Sequence, residues 1–424
     1  MERYNEYKDS GVRWLGQIPS HWELSSLRNL LILFSEKNHA DKTLLSVTRE
    51  QGVIIRNTDS KEENHNFIPD DLSGYKYIHN GDFCINKMKA WQGSYGVSKY
   101  EGIVSPAYYT CKLKGVNKDF FNMAIRSKVY VSFFAQYSKG IRVGQWDLST
   151  IALKEIPFFL PPLPEQRAIV SYLDTKCAKC DKLIEGNEKQ ITLLQELKQR
   201  IIADAVTRGI NKNVKYKKTN VSWVGEVPEH WELSTLRCFL TLYSVKNHPG
   251  KQLLSVTREQ GVIIRNTESK EENHNFIPSD LSGYKYVQAG DFCINKMKAW
   301  QGSYGVSKYE GIVSPAYYTC KLKGVNKDFF SIAVRSKTYI SFFAQYSKGI
   351  RVEQWDLSAI ALKEIPFLLP PLSEQHAIVS YITEKTSKID LLTSKLQKEI
   401  EHLKEYKQRL ISDVVTGQIK VCTE

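Results

Sequence analysis

Adding 209 to a residue number finds its counterpart almost everywhere along the 424-residue chain, with no gap. Trp14 maps to Trp223, Trp91 to Trp300, Trp146 to Trp355 and Pro161 to Pro370. A tandem duplication of this length excludes one compact core and demands a unit that folds twice. The copies diverge unevenly. From Leu44 to Phe121, 73 of 78 positions are identical to Leu253–Phe330. From Leu173 to Arg208, only 15 of 36 are identical to Ile382–Gly417. A shared fold requires the same apolar pattern, not the same loop and surface residues. The first segment therefore reads as one recognition surface kept twice, with local gene conversion as the rival explanation.

Each copy has three parts. An arm, YKDSGVRWLGQIPSHWELSSLR, returns as YKKTNVSWVGEVPEHWELSTLR. A mixed body follows, in which TLLSVTREQGVIIRN, KYIHNGDFCIN and AYYTCKLKG read as strands by their β-branched and aromatic content between Gly and Asn turns. KDFFNMAIRSKVYVSFFAQYS reads as one helix closing the body. Then IPFFLPPLPEQ, or IPFLLPPLSEQ, halts the extended chain and opens a long helix. Leu173, Cys180, Asn187, Leu194 and Ile201 recur every seven residues there, as do Cys177, Ile184, Ile191, Lys198 and Ala205. Copy two has Ile382, Ile389, Leu396, Leu403 and Leu410, with Thr386, Thr393, Ile400, Lys407 and Val414. Heptads this long predict helix-on-helix packing, each stripe serving the other, with polar Asn187 helping to set register. A single amphipathic helix on its own body is the alternative. Antiparallel packing of a repeated unit implies a pseudo-two-fold.

Net charge is +13 and 11 % of residues are aromatic, which points to an acidic partner, most simply nucleic acid. A basic protein without such a partner is the plain alternative. The opening MERYNEYKDSG has no apolar core of a signal peptide, and no run of about 18 apolar residues exists. Eight Cys without framework spacing fit a reducing cytoplasm.

Several motifs suggest chemistry and then fail on detail. SPAYY at 105–109 resembles the (D/N/S)PP(Y/F) motif of amino-methyltransferases, but Ala107 replaces the second Pro and no Gly-rich cofactor loop precedes it. It reads as a turn into a strand, with Pro106 fixing the start. CAKC at 177–180 lies inside the heptads, and its counterparts are Thr386 and Ile389, so it reads as core filling rather than zinc or redox chemistry. Pro69–Asp70 could open a nuclease motif, but Ser279 replaces the Asp in copy two. His21/His230 and His65/His274 lack metal-ligand spacing, and no Walker loop occurs.

The order body, PPLxEQ helix, body, PPLxEQ helix, with the arm WxGxxPxHWE and the ending VVTGQIKV, resembles the specificity subunit of a type I restriction–modification system over essentially the whole chain. The resemblance implies a mixed α+β chain: two globular α/β target recognition domains separated by two long antiparallel coiled-coil helices. The expected boundaries are 1–163, 164–210, 211–372 and 373–424. It implies that each body reads half of a bipartite DNA site and that the helices act as a ruler. It further implies two adenine-N6 methyltransferase subunits as partners, with nuclease–translocase subunits joining them. The chain itself would be non-catalytic and cofactor-free, with S-adenosylmethionine, ATP and Mg2+ on the partners. A stand-alone DNA-modifying enzyme, the recognition subunit of a type II-like methyltransferase–nuclease, and a scaffold that touches no nucleic acid are the competing readings.

The residue chemistry supplies candidates for DNA contact. Lys87, Lys89, Lys99, Lys112, Lys114 and Lys118 interleave with Trp91, Tyr95, Tyr100, Tyr108 and Tyr109, and such cations neutralise phosphates. Asn57, Asn86 and Gln92 suit adenine edges, and Arg49, Arg56 and Arg142 suit guanine. Gly93, Gly96 and Gly102 suit a loop approaching a backbone closely. The second copy repeats the set as Arg258, Arg265, Asn266, Lys296, Lys298, Trp300, Gln301, Tyr304, Lys308 and Arg351. Near-identical bodies predict near-identical, inverted half-sites, hence an interrupted palindrome. Of the five differences in the duplicated segment, Ile78/Val287, His79/Gln288 and Asn80/Ala289 cluster before Gly81, where a one-base deviation is conceivable.

Overall fold

The computed structural model describes residues 2–12, 15–57, 68–140, 146–221, 224–266, 277–349 and 355–421. They form two compact units, Met1–Asn187 with Lys398–Glu424, and Glu188–Gln397. Each unit thus combines one body with part of both long helices.

In the first unit the arm is a hairpin, Tyr7–Asp9 against Gln17–Pro19. Glu23–Ser26 then pairs antiparallel with Pro157–Leu160, so both ends of the body are tied together. The body is built on a four-stranded antiparallel sheet in the order Leu31–Phe34, Tyr108–Leu113, Phe83–Asn86, Tyr95–Val97. Two smaller ladders flank it: the hairpin Leu45–Thr48/Gly52–Ile55 and the pair Lys76–Ile78/Gly102–Val104. The expected strand segments are all present, the first two each split by a Gly turn. The second unit repeats this order, with Leu240–Tyr243, Tyr317–Leu322, Phe292–Asn295 and Tyr304–Val306 in its sheet.

The closing segment is two helices, Lys118–Ile125 and Lys128–Tyr137, where the apolar periodicity predicted one. Arg126 and Ser127 break it. Arg126 turns its guanidinium to main-chain carbonyls elsewhere, and Ser127 takes the extended N-cap conformation of the second helix. Aromatic rings fill the core beneath: Phe121 stacks on Phe158, and Tyr95 on Phe134.

The long helices run Leu163–Arg208 and Leu372–Val415. In the first unit Ile169 and Leu173 share a core with Leu410, Val414 and Val415, and Asp181 pairs with Lys407 at 2.6 Å. In the second, Ala205 and Val206 share a core with Ile378 and Ile382, and Lys198 pairs with Asp390 at 2.6 Å. Within each unit, then, the helices pack antiparallel. The two ion pairs are images of one another under the 209-residue offset, with the helices exchanging roles. Leu173, Ile382, Ile389, Leu396 and Leu410 are buried, Ile184 is 8 % exposed, and Ile191, Leu194, Ile201 and Leu403 are half-buried.

The PPLxEQ motif acquires a physical meaning here. Gln166, 1 % exposed, accepts from the Asn117 amide and donates to the Pro161 carbonyl, fastening the body to the first turn of the helix. Gln375 repeats both bonds. Glu165 receives the arm, through His21 at 2.8 Å, the Trp22 indole at 3.1 Å and the Tyr4 hydroxyl. Glu374 likewise takes His230 and Trp231. The HW pair is therefore a packing and docking element.

Candidate nucleic-acid interface

One end of the sheet gathers several of the expected contact residues. Asn86 and Tyr108 are register partners, and the Asn86 side chain hydrogen-bonds the Tyr108 phenol. Burial pushes that phenol up, while the neighbouring Arg56 guanidinium pulls it down. Lys76 crosses the same edge and donates to the Tyr108 carbonyl at 2.6 Å. Burial holds its ammonium below the usual lysine range, and Lys37 and Lys87 nearby press in the same direction. Lys87 pairs with Asp147 at 3.3 Å, and Asn57 is exposed beside Arg56. In the second body Lys285 donates to the Tyr317 carbonyl at 2.5 Å, Lys296 pairs with Asp356, Asn295 meets Tyr317, and Arg265 lies beside it. An edge with clustered cations, amides and a phenol can meet phosphates and offer donors to base edges. Lys76 and Lys285 were not singled out from the sequence; the signal was a Lys opening a short strand whose other residues face the core.

Arg49 and Arg258 lie elsewhere. They occupy the turn of the flanking hairpin, at the opposite end from Arg56, five residues or roughly 17 Å away along the strands. That turn is clamped by Arg126, which donates to the carbonyls of Arg49, Glu50 and Tyr95. Arg335 does the same with Arg258, Glu259 and Tyr304. The close fit needs glycine: Gly52 has φ +76°, and a Cβ on Gly96 would sit 3.3 Å from the Gly52 Cα. Trp91, Gln92 and Arg49 line a cleft between the body and the second long helix, and Arg258 and Gln301 line its counterpart.

The remaining candidates separate cleanly. Lys89, Lys99, Lys114, Lys118, Tyr100, Lys298 and Lys308 are exposed, and Asn266 is exposed beside Arg265. Lys112 is exposed over the Phe34 ring. Tyr109 donates to the Leu148 carbonyl. Trp91 and Trp300 are half-buried, packed on Trp146 and Trp355. Tyr95 and Tyr304 must be corrected: both are 0 % exposed core rings, so neither presents a face to a ligand. Their strands sit above the closing helices, and inward-facing aromatics are what that packing demands. Gly102 is also corrected, since a Cβ there would sit 2.3 Å from the Thr43 carbonyl, and Gly96 likewise serves the protein's own backbone. Arg142 and Arg351, like Trp14, Trp223, His65 and His274, lie outside the described residues.

The trio before Gly81 lies at the far end of the sheet from Asn86. There the differences compensate one another. Asp82 accepts from the His79 amide and faces its ring at 3.3 Å. Asp291 accepts from the Gln288 amide and is met instead by Lys321 at 3.0 Å and by Tyr243, which stands where the first copy has Phe34. The exchange keeps one buried carboxylate satisfied in two ways, and it does not alter the cationic edge.

SPAYY forms the expected turn, with the Tyr108 amide on the Ser105 carbonyl. Cys177 and Cys180 are free thiols within the helix, and among the described residues no cluster of His, Cys, Asp or Glu is placed to hold a metal. No helix of the described residues is long and apolar enough to cross a membrane.

Comparison with known proteins agrees with this picture. The type I restriction modification DNA specificity domain matches residues 19–193 and 256–402. The type I restriction enzyme MjaVIII specificity subunit of Methanocaldococcus jannaschii is 24 % identical over 373 residues, covering 82 % of this chain and 83 % of that one. A structure solved to explain complex assembly and conformational transition of the type I R-M system superposes with a TM-score of 0.67 at 13 % identity, covering 95 % and 99 % of the two chains. The HsdS subunit from Thermoanaerobacter tengcongensis gives 0.52 at 13 % identity, covering 95 % and 98 %.

Proposed function

Because the chain belongs to the type I restriction–modification DNA specificity family, we propose that it is the non-catalytic subunit through which such a complex reads a bipartite DNA site. Each body reads one half. Two adenine-N6 methyltransferase subunits bind the chain and carry the S-adenosylmethionine; nuclease–translocase subunits, with ATP and Mg2+, join for cleavage. The observation that carries the reading is the cationic edge of Arg56, Lys76, Asn86 and Tyr108, rebuilt from identical residues as Arg265, Lys285, Asn295 and Tyr317. Identical readers imply identical half-sites. The exchange of helix roles between the Asp181–Lys407 and Lys198–Asp390 pairs supports an inverted arrangement of those halves, so the site is an interrupted palindrome whose gap the helices set.

The test is to map methylated adenines in DNA from cells expressing the chain with its methyltransferase subunits. One interrupted palindrome is the expected result; unrelated half-sites or a direct repeat would overturn the symmetry. The purified chain alone is expected neither to bind S-adenosylmethionine nor to transfer a methyl group, and either activity would favour a stand-alone enzyme.

A further inference from the structure

Arg126 and Arg335 are mostly enclosed arginines whose nearest acidic neighbours, Glu50 and Glu259, act on them only from a distance. Among the described residues, neither guanidinium has a carboxylate within ion-pair distance. Each donates three hydrogen bonds, all to neutral carbonyls, out of the five N–H groups that a guanidinium carries. Burial holds both below the usual arginine range. A charge taken out of water is tolerated when a counter-charge completes it. Both guanidinia line the clefts between body and helices, so the counter-charge has a route in.

The surroundings favour an anion. In the first unit Arg49, Arg126, Lys128 and Lys407 line the cleft, against one carboxylate, Glu50. In the second the matching cations are Arg258, Arg335, Lys337 and Lys198, against Glu196, Glu259 and Asp390. Lys198 and Asp390 neutralise each other, as Lys407 and Asp181 do in the first unit, and Arg49 and Arg258 face Glu50 and Glu259, which leaves the anion to Arg126 and Lys128 in the first cleft and to Arg335 and Lys337 in the second. Lys128 and Lys337 open the second closing helix of each body, where the helix dipole adds to their charge. Ser127, at the same helix start and lining the first cleft, is 4 % exposed with a hydroxyl that has no hydrogen-bond partner. Each cleft measures about 800 Å³, near 850 Å³ in the first unit and 810 Å³ in the second. That is room for a phosphodiester and its sugar, but not for a duplex.

We propose that each cleft seats a phosphate of the DNA backbone, held by Arg126 and Lys128 in the first unit and by Arg335 and Lys337 in the second. The inference rests on the recognition reading above and adds to it a sequence-independent anchor. The anchor sits at the turn of the hairpin, five residues or roughly 17 Å along it from Arg56, about five base steps at 3.4 Å each. One body can therefore grip a strand at the turn and present its cationic edge to the bases.

The test uses the full chain and a labelled duplex of arbitrary sequence, titrated across a range of salt. Arg126→Met removes the central charge but also the clamp, so Lys128→Gln and Lys337→Gln, which alter exposed residues, carry the decision. Each is expected to flatten the slope of log affinity against log salt by about 0.9, and the pair by about 1.8. Over a fourfold rise in salt, each variant would lose about 3.5-fold less affinity than the parent. Unchanged slopes in both variants, with the parent still salt-sensitive, would overturn the phosphate seats and leave the recognition reading standing. Variants that lose the methyltransferase subunits while keeping the parental slope would assign the clefts to an acidic protein segment and likewise overturn them. A parent without salt-dependent binding would instead refute DNA recognition itself.

Discussion

Replacing Gln166 with Met is a sharp test of how each body is fastened to its helix. The side chain is 1 % exposed and makes two hydrogen bonds, one from the Asn117 amide and one to the Pro161 carbonyl. Methionine nearly conserves volume, so little cavity forms. What remains is one donor and one acceptor without partners in an enclosed place. Each orphaned group costs about 1–3 kcal/mol, giving a loss of about 2–6 kcal/mol. In a unit of this size 1 kcal/mol moves the midpoint by roughly 2–4 °C, so the first unit is expected to melt about 4–24 °C lower. Differential scanning calorimetry resolves the effect if the units melt separately, as multi-unit chains commonly do. Gln375→Met should lower the second transition instead, since Gln375 makes the same two bonds. A shift below about 2 °C in both variants would show that water or a relaxed backbone replaces these bonds, and the fastening role would be wrong.

Other outcomes follow from the same structure. Tyr304 donates to the Val334 carbonyl whereas the Tyr95 hydroxyl is buried without a partner, so Tyr304→Phe should cost about 1 kcal/mol in urea unfolding and Tyr95→Phe should stabilise by about 1 kcal/mol or more. His79→Gln with Asn80→Ala, which copies the second body into the first, should leave the methylated motif unchanged; a new base at one position would make the trio a reader. Inserting one heptad at the middle of both long helices adds about 10 Å of rise and should widen the gap of the methylated site by about three base pairs; an unchanged gap would remove the ruler. A thiol reagent at neutral pH should label exposed Cys238 in the folded chain and spare Cys84, Cys111, Cys293 and Cys320, whose thiols burial pushes up, to about 12 at Cys111 and Cys320. Because those thiols stay protonated in the fold while unfolded thiols ionise, they should also erode stability as pH rises from about 9 toward 12, and a flat unfolding midpoint over that window would contradict their burial.

Much of the fold was legible because it was written twice. The strand segments, the turn at SPAYY and the long helices after PPLxEQ carry strong local signals, and the fixed offset aligned them. Local signals failed where a single side chain reached across the body. The apolar period through NMAIRSKVYV continues straight past Arg126, and only the three distant carbonyls that its guanidinium serves explain the break. The same blindness hid Lys76, whose partner lies 32 residues away. Tyr95 went the other way: a Gly- and Lys-rich neighbourhood reads as surface, yet alternation along Tyr95–Val97 turns that ring onto Phe134. Composition marked the Lys- and Tyr-rich segment as a candidate patch but could not divide it into an edge at one end of the hairpin and a clamped turn at the other.

The interleaving of the two units has a consequence for synthesis on the ribosome. The second unit is one unbroken stretch, Glu188–Gln397, and its core cluster, from Ala205 to Ile382, lies wholly within that stretch. The first needs Leu410, Val414, Val415, Ile419 and Val421 to close a core that begins with Ile18 and Trp22. Those residues emerge roughly 230 positions after Asn187, a delay of about 12–50 s at ordinary translation rates. The amino-terminal body must therefore wait, with the apolar seats around Ile169 and Leu173 uncovered, while the later body completes itself first. Nascent-chain folding should run opposite to the order of the sequence, and a holding chaperone would find its binding site on the half that was made earliest.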